Sequence, residues 1–294
     1  MAKRKAFLHI GPTHSGSDFL DEALELHADA LAVQRIRRPA KSADEMLRAA
    51  LEIRRVHKSW GYKRREVEGA WSTICRRAYK GKDTVVFTQP HLAAAGHDEI
   101  ALLLDRLPGF DLHVVLNVVA PPVPPGGQDV VATVGRWAAA LRSPDRLHVI
   151  VPPPSGDAAT FTWNAFGRIV GFDATPLALP RKTRSAPTPP PPPHRYDELA
   201  ELADEWGKAI ADGGYDVHGD LADLVPARSA HGPAGTLATE ERLLASTREL
   251  SAALDGLERL RVRCAALEAR NAELSRTGKK LRRRLTKAAP ENAR

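Results

Sequence analysis

Short apolar runs that alternate with helical segments constrain the fold of this chain most. The runs are rich in Val, Leu, Ile and Phe and occupy residues 6–10, 84–88, 112–119 and 147–151. Between them, apolar residues recur at helical spacing in residues 43–56, 67–79, 97–105 and 130–141. Nearly continuous apolar strands separated by helices are typical of a parallel sheet that is covered on both faces. The pattern therefore predicts an α/β fold with a parallel sheet and flanking helices.

The first apolar run leads into a glycine-bounded loop and then into a helical pattern. Four residues separate Gly11 from Gly16, a spacing that suits a loop wrapping phosphate with its backbone N–H groups at a helix N-terminus. A complete phosphate-binding loop continues with Lys and then Ser or Thr, but these two positions hold Ser17 and Asp18. The alternative interpretation is an ordinary strand-to-helix turn that is capped by Ser15 or Ser17.

Residues 7–20 resemble the amino end of bacterial sulfotransferase-like proteins, whose pattern is roughly H-I-G-x-P-K-T-G-T-T-x-L. In that family the loop binds the phosphosulfate end of 3′-phosphoadenosine 5′-phosphosulfate, and its lysine stabilises the sulfuryl group in transfer. His14 occupies the lysine position, Ser15 and Ser17 replace threonines, and Gly16 is retained. The resemblance therefore implies a cofactor-binding set of Gly11, Ser15, Gly16 and Ser17.

Three further segments extend the resemblance. Residues 69–71 read G-A-W, which begins a helix in these proteins, and residues 147–154 are similar to their fourth strand. Residues 215–226 resemble their closing pattern G-Y-D-V-x-G-D-L-x-D-L-x-P. The resemblance implies a sulfotransferase-like domain over residues 1–226, with a proline-rich spacer at 186–194.

The departures from the family pattern fall on charged positions. After the third predicted strand the family usually has an arginine that grips the 3′-phosphate, whereas residues 116–122 contain none, and Gln89 stands where an acidic residue is common. Sulfuryl transfer needs fixed positive charge, but a histidine with an ordinary pKa of about 6.5 is mostly neutral at cytoplasmic pH. His14 therefore replaces a permanent cation poorly, and Asp18 adds a negative charge.

Two functions follow for this domain. The first is a dimeric, non-catalytic scaffold that retains the sulfotransferase-like fold after its sulfuryl-transfer activity was degraded or lost. The second is an active sulfotransferase that moves a sulfuryl group from phosphoadenosine phosphosulfate to a hydroxyl acceptor. His91 follows the run at 84–88, at the edge where α/β sheets bind ligands, and is a candidate general base; His14 is the other candidate catalytic residue.

The C-terminal segment has the regular heptad spacing of a coiled coil over residues 239–288, after a hinge at 227–238 and before a tail at 289–294. One seam places residues seven apart at Leu243, Leu250, Leu257, Cys264, Asn271, Gly278 and Leu285. The second seam holds Ser246, Ala253, Leu260, Leu267, Leu274 and Leu281. A single Asn in the first seam favours a parallel, in-register homodimer. A lone amphipathic helix that folds back on the domain is the alternative.

The positive charge of the chain is concentrated in this C-terminal segment. The net charge is +7, and residues 240–294 contain 14 Lys or Arg against 8 Asp or Glu. A solvated helix surface is the usual reason for such a segment. Contact with nucleic acid or an anionic membrane through the basic coiled coil is the alternative, and it gives an adaptor as the third candidate function.

Other classes of protein are disfavoured by composition. The two cysteines, Cys75 and Cys264, form no C-x-x-C pair, so we expect neither a disulfide framework nor a zinc site. No apolar run approaches the roughly 20 residues that span a bilayer, and the basic start lacks the apolar stretch of a signal peptide. The sequence is therefore expected to be cytoplasmic.

Overall fold

The apolar runs of the sequence lie side by side in a parallel sheet. The computed structural model describes residues 3–11, 19–121, 129–154, 157–180, 191 and 193–227, together with Arg276 and Gly278. Within these ranges the six strands are β1 (Arg4–His9), β2 (Ile36–Arg37), β3 (Thr84–Thr88), β4 (Phe110–Asn117), β5 (Leu147–Val151) and β6 (Asp216–Gly219). Their order is β2-β3-β1-β4-β5-β6, and all neighbours are parallel. The predicted α/β fold is confirmed.

Helices connect the strands on both sides of the sheet. In the same ranges they are α1 (Phe19–Leu26), α2 (Ala28–Val33), α3 (Ala43–Ile53), α4 (Arg64–Val67), α5 (Ala70–Ala78), α6 (His97–Leu104), α7 (Val130–Ala140), α8 (Ala158–Val170) and α9 (Pro193–Asp212). Short 3₁₀ turns follow at Pro90–Ala94, Pro144–Arg146 and Leu221–Leu224. None of the helices in the described part of the chain has the length and apolar character needed to cross a membrane.

Two hydrophobic cores cover the two faces of the sheet. Side chains from α3, α5, α6, α7 and α9 pack on one face, where Leu8 of β1 and Val114 of β4 are fully buried. Side chains from α1, α2 and α8 pack on the other face, around Phe7 of β1 and Val115 of β4. Since successive side chains of a strand point to opposite faces, each central strand must be apolar at nearly every position. This requirement explains why the sequence shows continuous apolar runs.

A glycine marks the start of α5. Gly69 has a φ of +81° and separates α4 from α5, so the helical pattern at 67–79 becomes a helix at Ala70, where the G-A-W segment is expected to begin one. The Glu52 carboxylate accepts hydrogen bonds from the N–H groups of Gly69 and Trp71, at 2.7 and 2.9 Å. A carboxylate at this position satisfies N–H groups that lack partners in the helix and favours the positive end of its dipole.

The strands β2 and β6 and the helix α8 are among the elements that lie outside the predicted pattern. The strand β2 has only two residues, and α8 packs its apolar residues, among them Trp163 and Phe166, on the face shared with Phe7. The last strand, β6, pairs with β5 and lies in the segment that the resemblance interprets as the close of the domain. A Cβ atom on Gly219 would lie 2.0 Å from the carbonyl oxygen of Val151, so this strand pair requires glycine there.

Candidate functional site

The strand order reverses between β1 and β4, and in doubly wound sheets this point forms a crevice at the carboxyl ends of the strands. The chain continues from β1 towards β2 and β3 on one side of the sheet, whereas from β4 it continues towards β5 and β6 on the other. Such a reversal of strand order is where open α/β sheets bind ligands. Gly11 lies just beyond β1, but His14, Ser15, Gly16 and Ser17 lie outside the described residues, so the predicted cofactor loop stays a prediction.

Buried polar side chains occupy the ends of these two strands. His9 of β1 is 1% exposed and Asn117 of β4 is fully buried. The Asn117 Nδ2 atom lies 3.4 Å from Thr162 Oγ1 on α8, and the His9 ring meets the edge of Phe166. Within the described ranges, neither nitrogen of the His9 ring nor the Asn117 Oδ1 atom has a hydrogen-bond partner. We call His9, Asn117 and Thr162 the carboxyl-edge cluster.

The carboxyl-edge cluster is uncharged at neutral pH. Burial lowers the pKa of His9, and after a smaller opposing effect of the neighbouring Asn117 side chain the pKa is about 4. The charged form of a buried imidazole is disfavoured because the low-dielectric interior replaces its hydration. His9 therefore contributes no positive charge to the crevice.

Asp21 of α1 forms an ion pair with Arg38 near the end of β3. Arg38 donates two hydrogen bonds to Asp21, at 2.8 and 2.7 Å, and one to Glu25 at 3.2 Å. Thr88, the last residue of β3, donates to the same Asp21 carboxylate at 3.1 Å. The Arg38 side chain is only 9% exposed. Its guanidinium is therefore committed to two carboxylates of the protein rather than to a ligand anion.

Gln89 and His91 are used locally in the 3₁₀ turn after β3. The side-chain oxygen of Gln89 accepts a hydrogen bond from the backbone N–H of His91 at 3.2 Å. The His91 ring meets Trp60 edge-on at 4.7 Å, and the His91 carbonyl accepts a hydrogen bond from Arg54 at 3.1 Å. Trp60 and Arg54 belong to the segment that follows α3. A general-base role for His91 stays a prediction.

A second polar cluster, which the sequence analysis did not single out, crosses β4, β5 and β6. Its members are Asp111, His113, His148, Asp216 and His218, and we call them the histidine cluster. The His113 ring stacks on Phe7 at 4.8 Å and on His148 at 5.1 Å. The sequence carries one local signal for this cluster: Asp216 and His218 are two apart in a strand, so their side chains share a face.

Burial and hydrogen bonding set the charges of the histidine cluster. Burial, together with a smaller effect of the neighbouring His148, lowers the pKa of His113 to about 4. Burial also lowers the pKa of His148, although the hydrogen bond to Asp216 opposes the change. Burial raises the pKa of Asp216, but hydrogen bonds with His148 and His218 outweigh this effect, so its net pKa is lowered. At neutral pH the His113 and His148 imidazoles are therefore neutral and the Asp216 carboxylate is an anion.

No family model matches the sequence, and a search of curated proteins finds no significant match.

Proposed function

We propose that residues 1–226 are a sulfotransferase-like domain that has lost sulfuryl transfer and acts as a non-catalytic scaffold, paired through the heptads at 239–288. The uncharged carboxyl-edge cluster is the observation that carries this proposal. It lies where a doubly wound sheet binds ligands, and it consists of an imidazole with a pKa of about 4, an amide and a hydroxyl.

The physical reason for the proposed loss of sulfuryl transfer is a lack of positive charge at the site. Phosphoadenosine phosphosulfate carries several negative charges, and further negative charge develops on the bridging oxygen during sulfuryl transfer. Binding and catalysis therefore both need fixed cations. At neutral pH His9 supplies none. The sequence changes at His14 and Asp18 act in the same direction.

Two arginines near the strand ends, Arg38 and Arg136, are engaged within the described part of the protein. Arg38 is paired with Asp21 and Glu25. Arg136 of α7 donates to the carbonyls of Ala93 and Ala95, at 3.3 and 3.2 Å. Freeing such a guanidinium for a ligand would cost these hydrogen bonds, which argues against their use as phosphate anchors.

Calorimetry with 3′-phosphoadenosine 5′-phosphate tests the proposal. We expect no heat of binding for the full chain at ligand concentrations up to about millimolar, the range of nonspecific contacts. The double variant His14→Lys, Asp18→Thr restores the side chains of the family pattern, and it should bind more tightly if missing charge is the cause.

A matched variant keeps the test decisive. Gly16→Trp fills the predicted loop and removes any binding that the loop supports. Micromolar binding by the unmodified chain that disappears in Gly16→Trp would overturn the scaffold proposal in favour of an active or nucleotide-regulated sulfotransferase.

A further inference from the structure

The histidine cluster brings three potential metal ligands together at the edge of the sheet. His148 on β5 is the register partner of Asp216 on β6, and His218 follows two residues later. The Asp216 Oδ2 atom lies 2.6 Å from His148 Nδ1 and 2.9 Å from His218 Nε2. One ligand atom from each residue lies within 4.8 Å of the others. One metal ion bonds ligand atoms at such mutual distances after a small adjustment of the side chains.

Two hydrogen bonds join His113, His148 and Asp216 in a chain. The distances are 2.9 Å between His113 Nδ1 and His148 Nε2 and 2.6 Å between His148 Nδ1 and Asp216 Oδ2. Asp111 Oδ2 lies 3.7 Å from His113 Nε2, which is too far for a hydrogen bond. Two neutral imidazoles supply the two hydrogens of the chain, and a metal ion on His148 would change which ring nitrogens carry them.

In the cluster without a metal ion, the buried His113 Nε2 atom is the ring nitrogen left without a hydrogen-bond partner. If His148 donates its Nδ1–H to Asp216, then His148 Nε2 must accept from His113 Nδ1, which leaves His113 Nε2 with a lone pair directed at the Asp111 carboxylate. Within the described ranges His113 Nε2 has no hydrogen-bond partner. A metal ion on His148 Nδ1 reverses this order: His148 Nε2–H then donates to His113, and His113 Nε2–H faces Asp111. Metal-bound histidines commonly donate a hydrogen bond from their second ring nitrogen to a neighbouring acceptor, as His148 would do here.

Charge points to a cation as well. Arg146 pairs with Asp111 at 2.7 Å, so that carboxylate is balanced. The described ion pairs of Asp216 are with His148 and His218, which are uncharged unless protonated. The Asp216 side chain is 42% exposed, which leaves an approach for a metal ion and a water ligand.

We propose that His148, Asp216 and His218 form a binding site for a divalent transition metal of the Zn²⁺ class, which His113 and Asp111 orient. Two imidazole nitrogens and one carboxylate oxygen suit Zn²⁺ or Fe²⁺, whereas Mg²⁺ and Ca²⁺ prefer oxygen ligands throughout. The ion bonds β6 to β5 at the sheet edge, so we assign it a stabilising role. The site is independent of the proposed scaffold function and replaces the expectation of no zinc site that the cysteine pattern gave.

Zinc titration of the untagged full chain, after removal of metals by a chelator, tests the site. We expect one equivalent of Zn²⁺ to bind and to raise the melting temperature, because a ligand that binds only the folded state stabilises it. An equal concentration of Mg²⁺ should give neither effect. His218→Gln should weaken Zn²⁺ binding at least about tenfold, and His113→Gln should weaken it about 10–100-fold while all three ligands remain.

Two measurements separate loss of the site from loss of the fold. Co²⁺ in place of Zn²⁺ gives a visible absorption that depends on its ligands, and this absorption should disappear in His218→Gln. The exposed His97→Gln variant, outside the histidine cluster, should retain both the absorption and the affinity. The proposal is overturned if the full chain binds no Zn²⁺, or if folded His148→Gln and His218→Gln variants bind it as tightly as the unmodified chain.

Discussion

At the scale of single residues, the state of His9 decides what the end of β1 offers to a ligand. The side chain is enclosed between β1, β4 and α8, where Phe166 and Asn117 are its neighbours. An imidazole in such a place costs free energy in two ways, because its nitrogens lose hydrogen bonds to water and its proton is harder to hold. Both costs predict measurable consequences for stability.

His9→Leu should be at least as stable as the unmodified chain at neutral pH and should lose less stability in acid. The unfolded chain binds this proton near the ordinary histidine pKa, whereas the folded chain binds it at a pKa of about 4. Stability from the neutral ring is therefore full above about pH 6.5 and is lost as the pH falls towards about 4. For a buried histidine with that shift, the loss is about 2 kcal/mol at about pH 5.

Urea denaturation near neutral pH and near pH 5 measures this difference, with His97→Leu as an exposed control. His113 is shifted in the same direction, so the variant should retain part of the acid sensitivity. A large loss of stability in His9→Leu at neutral pH, with an unchanged pH dependence, would mean that His9 makes a hydrogen bond essential to the fold.

The histidine cluster shows how far sequence reasoning reaches for individual residues. His91 was noticed because it follows a strand directly, whereas His113, His148 and Asp216 are brought together only by strand register, across sequence separations of 35 and 68 residues. Each looks like an ordinary polar residue in or beside an apolar run. Pairing registers were not predictable from one sequence, so this cluster could not be found without the structure.

At the scale of elements, strand prediction succeeded where burial on both faces leaves a continuous apolar run. The runs at 84–88 and 147–151 coincide with β3 and β5. Edge elements gave weaker signals. Only two residues form β2, and β6 is partly exposed and polar because it holds Asp216 and His218. A half-buried strand has no continuous apolar run, which explains why the sequence pattern does not predict β6 as a strand.

The pairing of β6 with β5 should depend on Gly219. Its φ is +124°, and a Cβ atom would lie 2.0 Å from the carbonyl oxygen of Val151. Gly219→Ala therefore combines backbone strain with a steric clash, and we expect the free energy of unfolding to fall by about 2–4 kcal/mol.

Gly207→Ala is the matched control, because Gly207 lies within α9 and an added Cβ meets nothing within 4 Å. Alanine in a helix interior should raise stability by about 1 kcal/mol. Urea denaturation of both variants measures the difference. Equal stabilities would show that β6 does not pack against β5 as described.

At the scale of the whole molecule, the parallel sheet accounts for the apolar runs of the first part of the chain, and the heptads predict a coiled coil for the last part. The coiled coil at 239–288 lies outside the described residues, apart from Arg276 and Gly278, so homodimerisation stays a prediction. Its physical basis is the burial of two apolar seams, which a single helix cannot achieve alone. Because the basic residues follow the same heptads, pairing and any anionic partner would depend on one segment.

Sedimentation equilibrium tests this prediction with the full chain and with residues 1–238. We expect twice the chain mass for the first and a monomer for the second, because the truncation removes both seams. An amide at an a position lowers stability but specifies a two-stranded, in-register pair. Asn271→Leu should therefore raise the stability of the assembly and admit species larger than dimers, whereas Asn292→Ala in the tail should change neither property. If truncation at residue 238 left the mass unchanged, the contact between copies would lie in the α/β domain and the heptads would have another use.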